Sequence, residues 1–174
     1  IEYSVPGNTE RMVAGAAEGA ARRAGAEAIN FCVFGSGYRT NTVIGRDTLD
    51  KVIQDGDMIM AALAVQYEGY TATAAYPFVA GKLSDEQKKF LSVLFEASNV
   101  QLKYLQSGQI TGEMVRTVKK VFRDHGLELY DLYPPLHGIG LAEAELPYPD
   151  EHSDFTFQEG MTVNSDISLF KHPV

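Results

Sequence analysis

Two apolar runs, residues 58–66 and 70–80, flank the dipeptide Glu68-Gly69 at the centre of the chain. Neither run contains a charged side chain, and both contain β-branched or aromatic residues. An acid-glycine dipeptide between two strand-like runs is typical of a β-hairpin. We therefore expect an antiparallel sheet at the centre of the fold.

Three further segments have helical patterns: residues 10–24, 85–106 and 111–125. Thr9 or Asn8 can cap the first helix, and Ser84 with Gln87 forms a capping box before the second. The second helix has apolar residues spaced to face a core, namely Phe90, Leu91, Leu94, Phe95, Leu102 and Leu105. The third has Met114, Val115, Val118, Val121 and Phe122 on one face. Residues 29–34 and 161–170 are strand-like, so the pattern predicts an α+β fold.

Length and composition restrict the class of protein. The chain has 174 residues, about one domain, and a net charge of −8, which disfavours nucleic acid as a partner. No apolar run reaches the ~18 residues that a membrane span needs. Cys32 is the only cysteine and lies in an apolar run, so we expect a small buried thiol and a cytoplasmic protein. Since the sequence starts at Ile1 without a Met, we also expect a piece cut at both ends.

An internal echo indicates two related halves. Residues 53–59 read Ile-Gln-Asp-Gly-Asp-Met-Ile, and residues 157–163 read Phe-Gln-Glu-Gly-Met-Thr-Val. Each has an apolar residue, Gln, an acid and Gly before a strand. Acid-glycine turns before strands are common, so the echo alone is a weak indication. We place the halves at about 1–100 and 101–174.

Several motifs, in this order, resemble the pita-bread family of methionine aminopeptidase, aminopeptidase P, prolidase and creatinase. They are Pro6-Gly7-Asn8-Thr9-Glu10, Asp55-Gly56-Asp57 with the hairpin, His137-Gly138-Ile139-Gly140 with Glu145 and Pro147, and Glu159-Gly160-Met161-Thr162-Val163. The resemblance implies one pita-bread domain over residues 1–174. Its fold would be a curved antiparallel sheet with helices on the outer face, in two related halves.

Active members of that family hold two ions of Mn, Co or Zn with two Asp, one His and two Glu, because hard cations need carboxylate oxygens. In this sequence the two Asp positions fall on Ala62 and Thr73, which have no carboxylate. The His position falls on His137 and the first Glu position on Asp166, while the last lies beyond Val174. The resemblance therefore implies no metal ligands and no metal cofactor here.

Two other family positions also depart from the pattern. The His at the mouth of the family's site aligns near Ile44 and Gly45, and the second His of the His-Gly stretch falls on Ala144. Creatinase is a metal-free member, and its first-half His and Glu align near Gly45 and Ala75. The sequence thus departs from both chemistries of the family.

The candidate catalytic residues are His137, Glu145 and Asp166, since a His with a carboxylate can do general acid–base work. The candidate binding cleft contains Tyr70, Thr73, His137 and Asp166, with aromatic side chains suited to a peptide. Each residue also has a plain alternative: a polar pocket for His137, a solvated loop or strand for the carboxylates, and cross-strand packing for the tyrosine.

Two hypotheses of function follow. The first is a relative of aminopeptidase P and creatinase that has lost the dinuclear metal centre and binds a peptide or small amide without catalysis, or dimerises. The second is a hydrolase, metal-independent as in creatinase or with a rebuilt site, acting on a peptide or a small amide or amidino substrate. For both we expect a homodimer, as the resemblance implies, and neither nucleic acid nor membrane as a partner.

Overall fold

The computed structural model describes residues 2–41 and 49–174. The chain divides into two compact units. The first comprises the chain up to Lys88 with Leu141–Glu143 and Pro173–Val174, and the second comprises Lys89–Gly140 and Ala144–His172. This division does not test the halves at about 1–100 and 101–174, which stay a prediction. No helix of the described residues is long and apolar enough to cross a membrane.

The first unit opens with helix α1, Glu10–Arg23, whose start follows the predicted capping signal. The Thr9 hydroxyl accepts a hydrogen bond from the Met12 amide at 3.2 Å, which satisfies one of the donors that a helix leaves free at its N-terminus. Strand β1, Ala28–Ser36, follows, and a short 3₁₀ helix occupies Gly37–Asn41. The strand predicted over residues 29–34 is therefore confirmed, and it begins one residue earlier and ends two residues later.

Strands β2, Met58–Tyr67, and β3, Tyr70–Val79, form the predicted hairpin. Glu68 and Gly69 have φ values of 48° and 80°. Positive φ at both central residues is the conformation of the tight turn that matches the strand twist, and glycine adopts it without steric cost. Strand β2 also pairs antiparallel with β1, so the sheet has the order β1-β2-β3.

Helix α1 packs on one face of this sheet. Val13 and Ala14 of the helix are buried against Phe34 of β1 and Ile59 of β2. The buried residue Ile53, which precedes the acid-glycine turn, completes this core. Together with the helices of the second unit, this confirms the α+β class.

Helices α2, Asp85–Leu102, and α3, Thr111–Asp124, supply most of the core of the second unit. At the start of α2, the Ser84 amide donates to Gln87 Oε1 at 2.9 Å and the Gln87 amide donates to Ser84 Oγ at 3.1 Å. These reciprocal bonds are the predicted capping box. The predicted apolar face of α3 is confirmed, because all five of its residues are buried.

The predicted inner face of α2 is partly wrong. Phe95 and Leu102 are 67% and 56% exposed, whereas Val93 and Ala97 are buried. The buried stripe has a spacing of four residues and includes the small side chain of Ala97, which lies in the core cluster with α3 residues. The helix also ends at Leu102, four residues before its predicted end.

Two short strands complete the second unit: β4, Leu136–Gly138, and β5, Val163–Ser165. They pair antiparallel, with His137 opposite Asn164. The predicted strand over residues 161–170 is therefore too long. The Asp166 amide donates to Pro135 O at 2.9 Å, one step beyond the last pair of this ladder, where Pro135 has no amide hydrogen to donate in return.

The two units repeat one pattern of backbone hydrogen bonds. In the first, the Gly7 amide donates to Ile53 O at 3.1 Å; in the second, the Gly108 amide donates to Phe157 O at 2.9 Å. Isolated β-bridges follow in register, Thr9 with Val52 and Ile110 with Thr156. Two more hydrogen bonds of the first unit, Ile53 N to Asn8 O and Glu10 N to Lys51 O, have counterparts in the second. The counterparts are Phe157 N to Gln109 O and Thr111 N to Phe155 O.

The echoed turns have the same backbone conformation as well. Gly56 and Gly160 have φ values of 84° and 86°. The amide after each glycine bonds back to the glutamine of the motif: Asp57 N to Gln54 O at 3.1 Å and Met161 N to Gln158 O at 3.3 Å. These matches support two related halves beyond what the sequence echo alone could.

Candidate functional site

His137 lies on β4 and is 1% exposed. Its Nδ1 is 2.8 Å from the carbonyl oxygen of Gly138, and its Nε2 is 3.1 Å from the side-chain nitrogen of Asn164. The ring of Tyr148 lies against it at a centroid distance of 5.6 Å. Both ring nitrogens of His137 therefore have protein partners.

The structure brings Asp166 close to His137. Asp166 Oδ2 is 3.8 Å from His137 Nε2, and the Asp166 side chain is 29% exposed. That distance is too long for a direct hydrogen bond, and the two side chains form an ion pair only when the imidazole ring is charged. Two of the three candidate catalytic residues thus lie side by side.

Glu145 lies in the segment that crosses Gly138. Its amide donates to Gly138 O at 3.0 Å. Its Oε1 lies 2.7 Å from the point where a Cβ on Gly140 would stand, so the carboxylate occupies space that only glycine leaves free. All three candidate catalytic residues therefore lie around the His-Gly-Ile-Gly stretch.

Gly138 is enclosed by the same segment, and we expect Gly138→Ala to destabilise the protein by about 1–3 kcal/mol, the usual cost of overpacking. A Cβ there would lie 2.3 Å from Leu146 O, a backbone atom that cannot rotate away. Thermal unfolding would measure the loss. Gly15→Ala, in α1, is a control with open space around it and no positive φ, so we expect it to be at least as stable as the wild type. Equal stability of Gly138→Ala and wild type would contradict the packing described here.

The first unit carries the other predicted cleft residues on two different faces of its sheet. Because side chains alternate along a strand, Tyr70 and Thr73 point to opposite sides. Tyr70 is 64% exposed and pairs with Tyr67 across the hairpin. The ring of Tyr67 lies 3.8 Å from the point where a Cβ on Gly25, just after α1, would stand. The structure does not bring Tyr70 and Thr73 together on one face.

Thr73 lies on the face that carries Ala62. Register pairs Thr73 with Ala64, and Ala62 is two residues away from Ala64 along β2, so all three side chains point to the same face. The hydroxyl of Thr73 is buried and has no hydrogen-bond partner among the described residues. The two positions that the resemblance assigns to metal-binding aspartates thus carry a methyl group and a hydroxyl.

No metal cluster is visible in the part of the chain that the structure describes. Within residues 2–41 and 49–174, no three His, Cys, Asp or Glu side chains are arranged so that they could hold a metal ion. Ile44 and Gly45, near which two family His positions align, lie outside the described residues. Ala75 and Ala144 have no group that could replace the aligned Glu or His.

A buried polar network in the first unit surrounds Glu10, the first residue of α1, and was not predicted from the sequence. Glu10 is 1% exposed. Its Oε1 accepts from the amide and the hydroxyl of Ser36 at 2.8 and 2.9 Å, and its Oε2 accepts from Arg39 Nε at 3.0 Å. Lys51 Nζ donates to Ser36 Oγ at 2.8 Å and to Asp57 Oδ2 at 2.6 Å.

This network connects α1, the end of β1 and the entry to β2. The serine hydroxyl is fully buried, and its oxygen already donates to Glu10 and accepts from Lys51. A group so enclosed acts as a structural link rather than as a nucleophile. No sequence signal marks these residues as partners, because Glu10 and Ser36 are 26 residues apart.

Cys32 is not an activated nucleophile either. Burial, and to a lesser degree the negative charge of Glu18, raise the pKa of the Cys32 thiol to about 11. The thiol is therefore protonated at neutral pH, and the reactive thiolate is scarce. Its Sγ lies 3.8 Å from Ala14 O, and the residue is half-buried, so it packs against the core but is less enclosed than the apolar run predicts.

The chain is similar in sequence to a family of metallopeptidases and to its curated members. The profile described as metallopeptidase family M24 matches residues 1–172. The Xaa-Pro dipeptidase of Pyrococcus horikoshii is 26% identical over 171 residues, which are 98% of this chain and 48% of that protein. The chain thus spans about half the length of the curated relatives it matches.

Solved structures agree with the sequence comparison. The prolidase from Pyrococcus horikoshii OT3 has a TM-score of 0.86 at 25% identity, covering 94% of this chain and 49% of that one. The X-Pro aminopeptidase from Thermotoga maritima has a TM-score of 0.85 at 29% identity, covering 91% and 45%. The predicted pita-bread fold is therefore confirmed.

Proposed function

The chain belongs to metallopeptidase family M24, and on that premise we propose that it is a prolidase-like domain without a dinuclear metal centre. The observation that carries the proposal is the pair Ala62 and Thr73, which offer no carboxylate at the two aspartate positions. Divalent cations of this kind require several charged oxygen or nitrogen ligands. His137 and Asp166 alone do not make up a ligand set for two ions.

The ligand we propose is a peptide, or a small amide, bound without hydrolysis. The support is the similarity to an Xaa-Pro dipeptidase and to an X-Pro aminopeptidase, whose names state that they act on peptides containing proline. His137 and Asp166, which lie side by side in the second unit, are the residues we assign to binding. We do not assign Tyr70 or Thr73 to binding, because they lie on opposite faces of the sheet of the first unit and do not form one surface.

Elemental mass spectrometry of the purified protein, after incubation with Mn, Co and Zn, tests the missing metal centre. We expect no stoichiometric metal and no cleavage of Xaa-Pro dipeptides, with heat of binding for such dipeptides detectable by calorimetry. An Asp166→Asn variant keeps the shape of the side chain and removes its charge, so weaker binding by this variant would support the assignment. Near two equivalents of metal with dipeptide cleavage would overturn the proposal.

A second candidate, a metal-independent hydrolase, has one observation in its favour. His137 Nε2 and Asp166 Oδ2 are 3.8 Å apart, and Glu145 belongs to the same unit. A His with a carboxylate can act as a general base on a positioned substrate. A panel of small amide and amidino substrates, compared between wild type and His137→Ala, tests this candidate. Absence of any turnover dependent on His137 would exclude it.

A further inference from the structure

The contacts of His137 assign the proton on its ring. The Gly138 carbonyl oxygen, 2.8 Å from Nδ1, can only accept a hydrogen bond, so Nδ1 carries a hydrogen. The Asn164 side-chain nitrogen, 3.1 Å from Nε2, can only donate, so Nε2 presents a lone pair. The ring that satisfies both partners is the neutral tautomer with hydrogen on Nδ1.

The register of β4 and β5 places the side-chain amide of Asn164 next to the lone pair on His137 Nε2. His137 and Asn164 are directly paired in the β4–β5 ladder, and paired residues point to the same side of an antiparallel sheet. Asp166 lies two residues further along the same face, but its carboxylate is 3.8 Å from Nε2. The amide at 3.1 Å is therefore the nearer of the two groups to this nitrogen.

We propose that Asn164 is a positioning residue that holds His137 in the Nδ1-protonated tautomer and occupies its Nε2. The role rests on the proposed function, in which no metal ion uses that nitrogen. With Nε2 engaged by the amide, His137 can neither bind a cation nor take a proton from a substrate until this hydrogen bond breaks. His137 then serves as a fixed link between β4 and β5.

Nitrogen-15 NMR of the imidazole and amide groups in the whole protein tests the assignment. In wild type we expect a protonated Nδ1, an unprotonated Nε2 and a through-hydrogen-bond coupling between Nε2 and the Asn164 side-chain nitrogen. In Asn164→Leu, which has nearly the same size and no donor, the coupling is lost and the Nε2 resonance moves. Ser165→Ala, one residue along and on the other face, is the matched control and leaves Nε2 unchanged.

Three results would overturn the role of Asn164. They are a protonated Nε2 in wild type, the absence of the coupling, or an Nε2 resonance that Asn164→Leu does not move, which is the behaviour of a residue that merely fills space. The wild-type spectrum decides the matter alone if the variant fails to fold. Metal content separates this inference from the proposed function: stoichiometric metal overturns that function, whereas a metal-free protein with a protonated Nε2 overturns only the role of Asn164.

Discussion

Glu10→Ala is expected to lower the free energy of unfolding by about 3–5 kcal/mol, the typical result of removing one partner from a buried ion pair. The carboxylate is 1% exposed and accepts hydrogen bonds from Ser36, Arg39 and the Leu49 amide. Its removal leaves buried donors without an acceptor, which is costly because water cannot reach them. Urea denaturation monitored by circular dichroism would measure the change.

Two variants make the Glu10 result specific. Glu10→Gln keeps the shape but removes the charge, so we expect a smaller loss than for alanine. Asp50→Ala removes an ion pair with Arg11 whose side chains are 62% and 77% exposed, and it should change stability by less than about 1 kcal/mol. If Glu10→Ala were as mild as Asp50→Ala, the network would not be the structural link described here.

Phe122→Ala is expected to destabilise the second unit by about 3–5 kcal/mol, as large-to-small changes in a packed core do. Phe122 is 1% exposed and lies in the cluster formed by α2, α3, Leu136 and Phe157. Truncating the ring removes apolar contacts and leaves a cavity that the neighbouring side chains cannot fill completely. Thermal unfolding followed by near-ultraviolet circular dichroism would detect the loss of packing.

Phe95→Ala is the matched control on the neighbouring helix. Its sequence spacing predicts a core position, but the side chain is 67% exposed, so we expect a change within about 0.5 kcal/mol. A large effect at Phe95 with a small one at Phe122 would reverse the orientation assigned to these helices.

The helices illustrate how far a sequence pattern reaches. The face of α3 was predictable because its five apolar residues repeat at the helical period with polar residues between them. In α2 the apolar residues cover a wider sector than one face, so the period alone does not say which part of that sector is inside. Ala97 lies inside and Phe95 outside. The choice depends on how closely α2 and α3 approach each other, which a sequence does not state.

The candidate site was also predictable only in part. His137 and Asp166 were identified from motifs, and the structure places them 3.8 Å apart. The separation of Tyr70 from Thr73 follows from strand alternation, since residues an odd number apart point to opposite faces. Asn164 could not be found in this way, because its importance arises from pairing with a residue 27 positions away.

Local chemistry, readable from the sequence by itself, determined the hairpin around Glu68-Gly69, the capping box at Ser84 and the absence of carboxylates at Ala62 and Thr73. These features depend on neighbours within a few residues or on residue identity alone. Only the tertiary structure decided that Glu10 is a buried acceptor and that Asn164 faces His137. Those outcomes depend on which distant segments share a buried space, where a polar group must find a partner because water is absent.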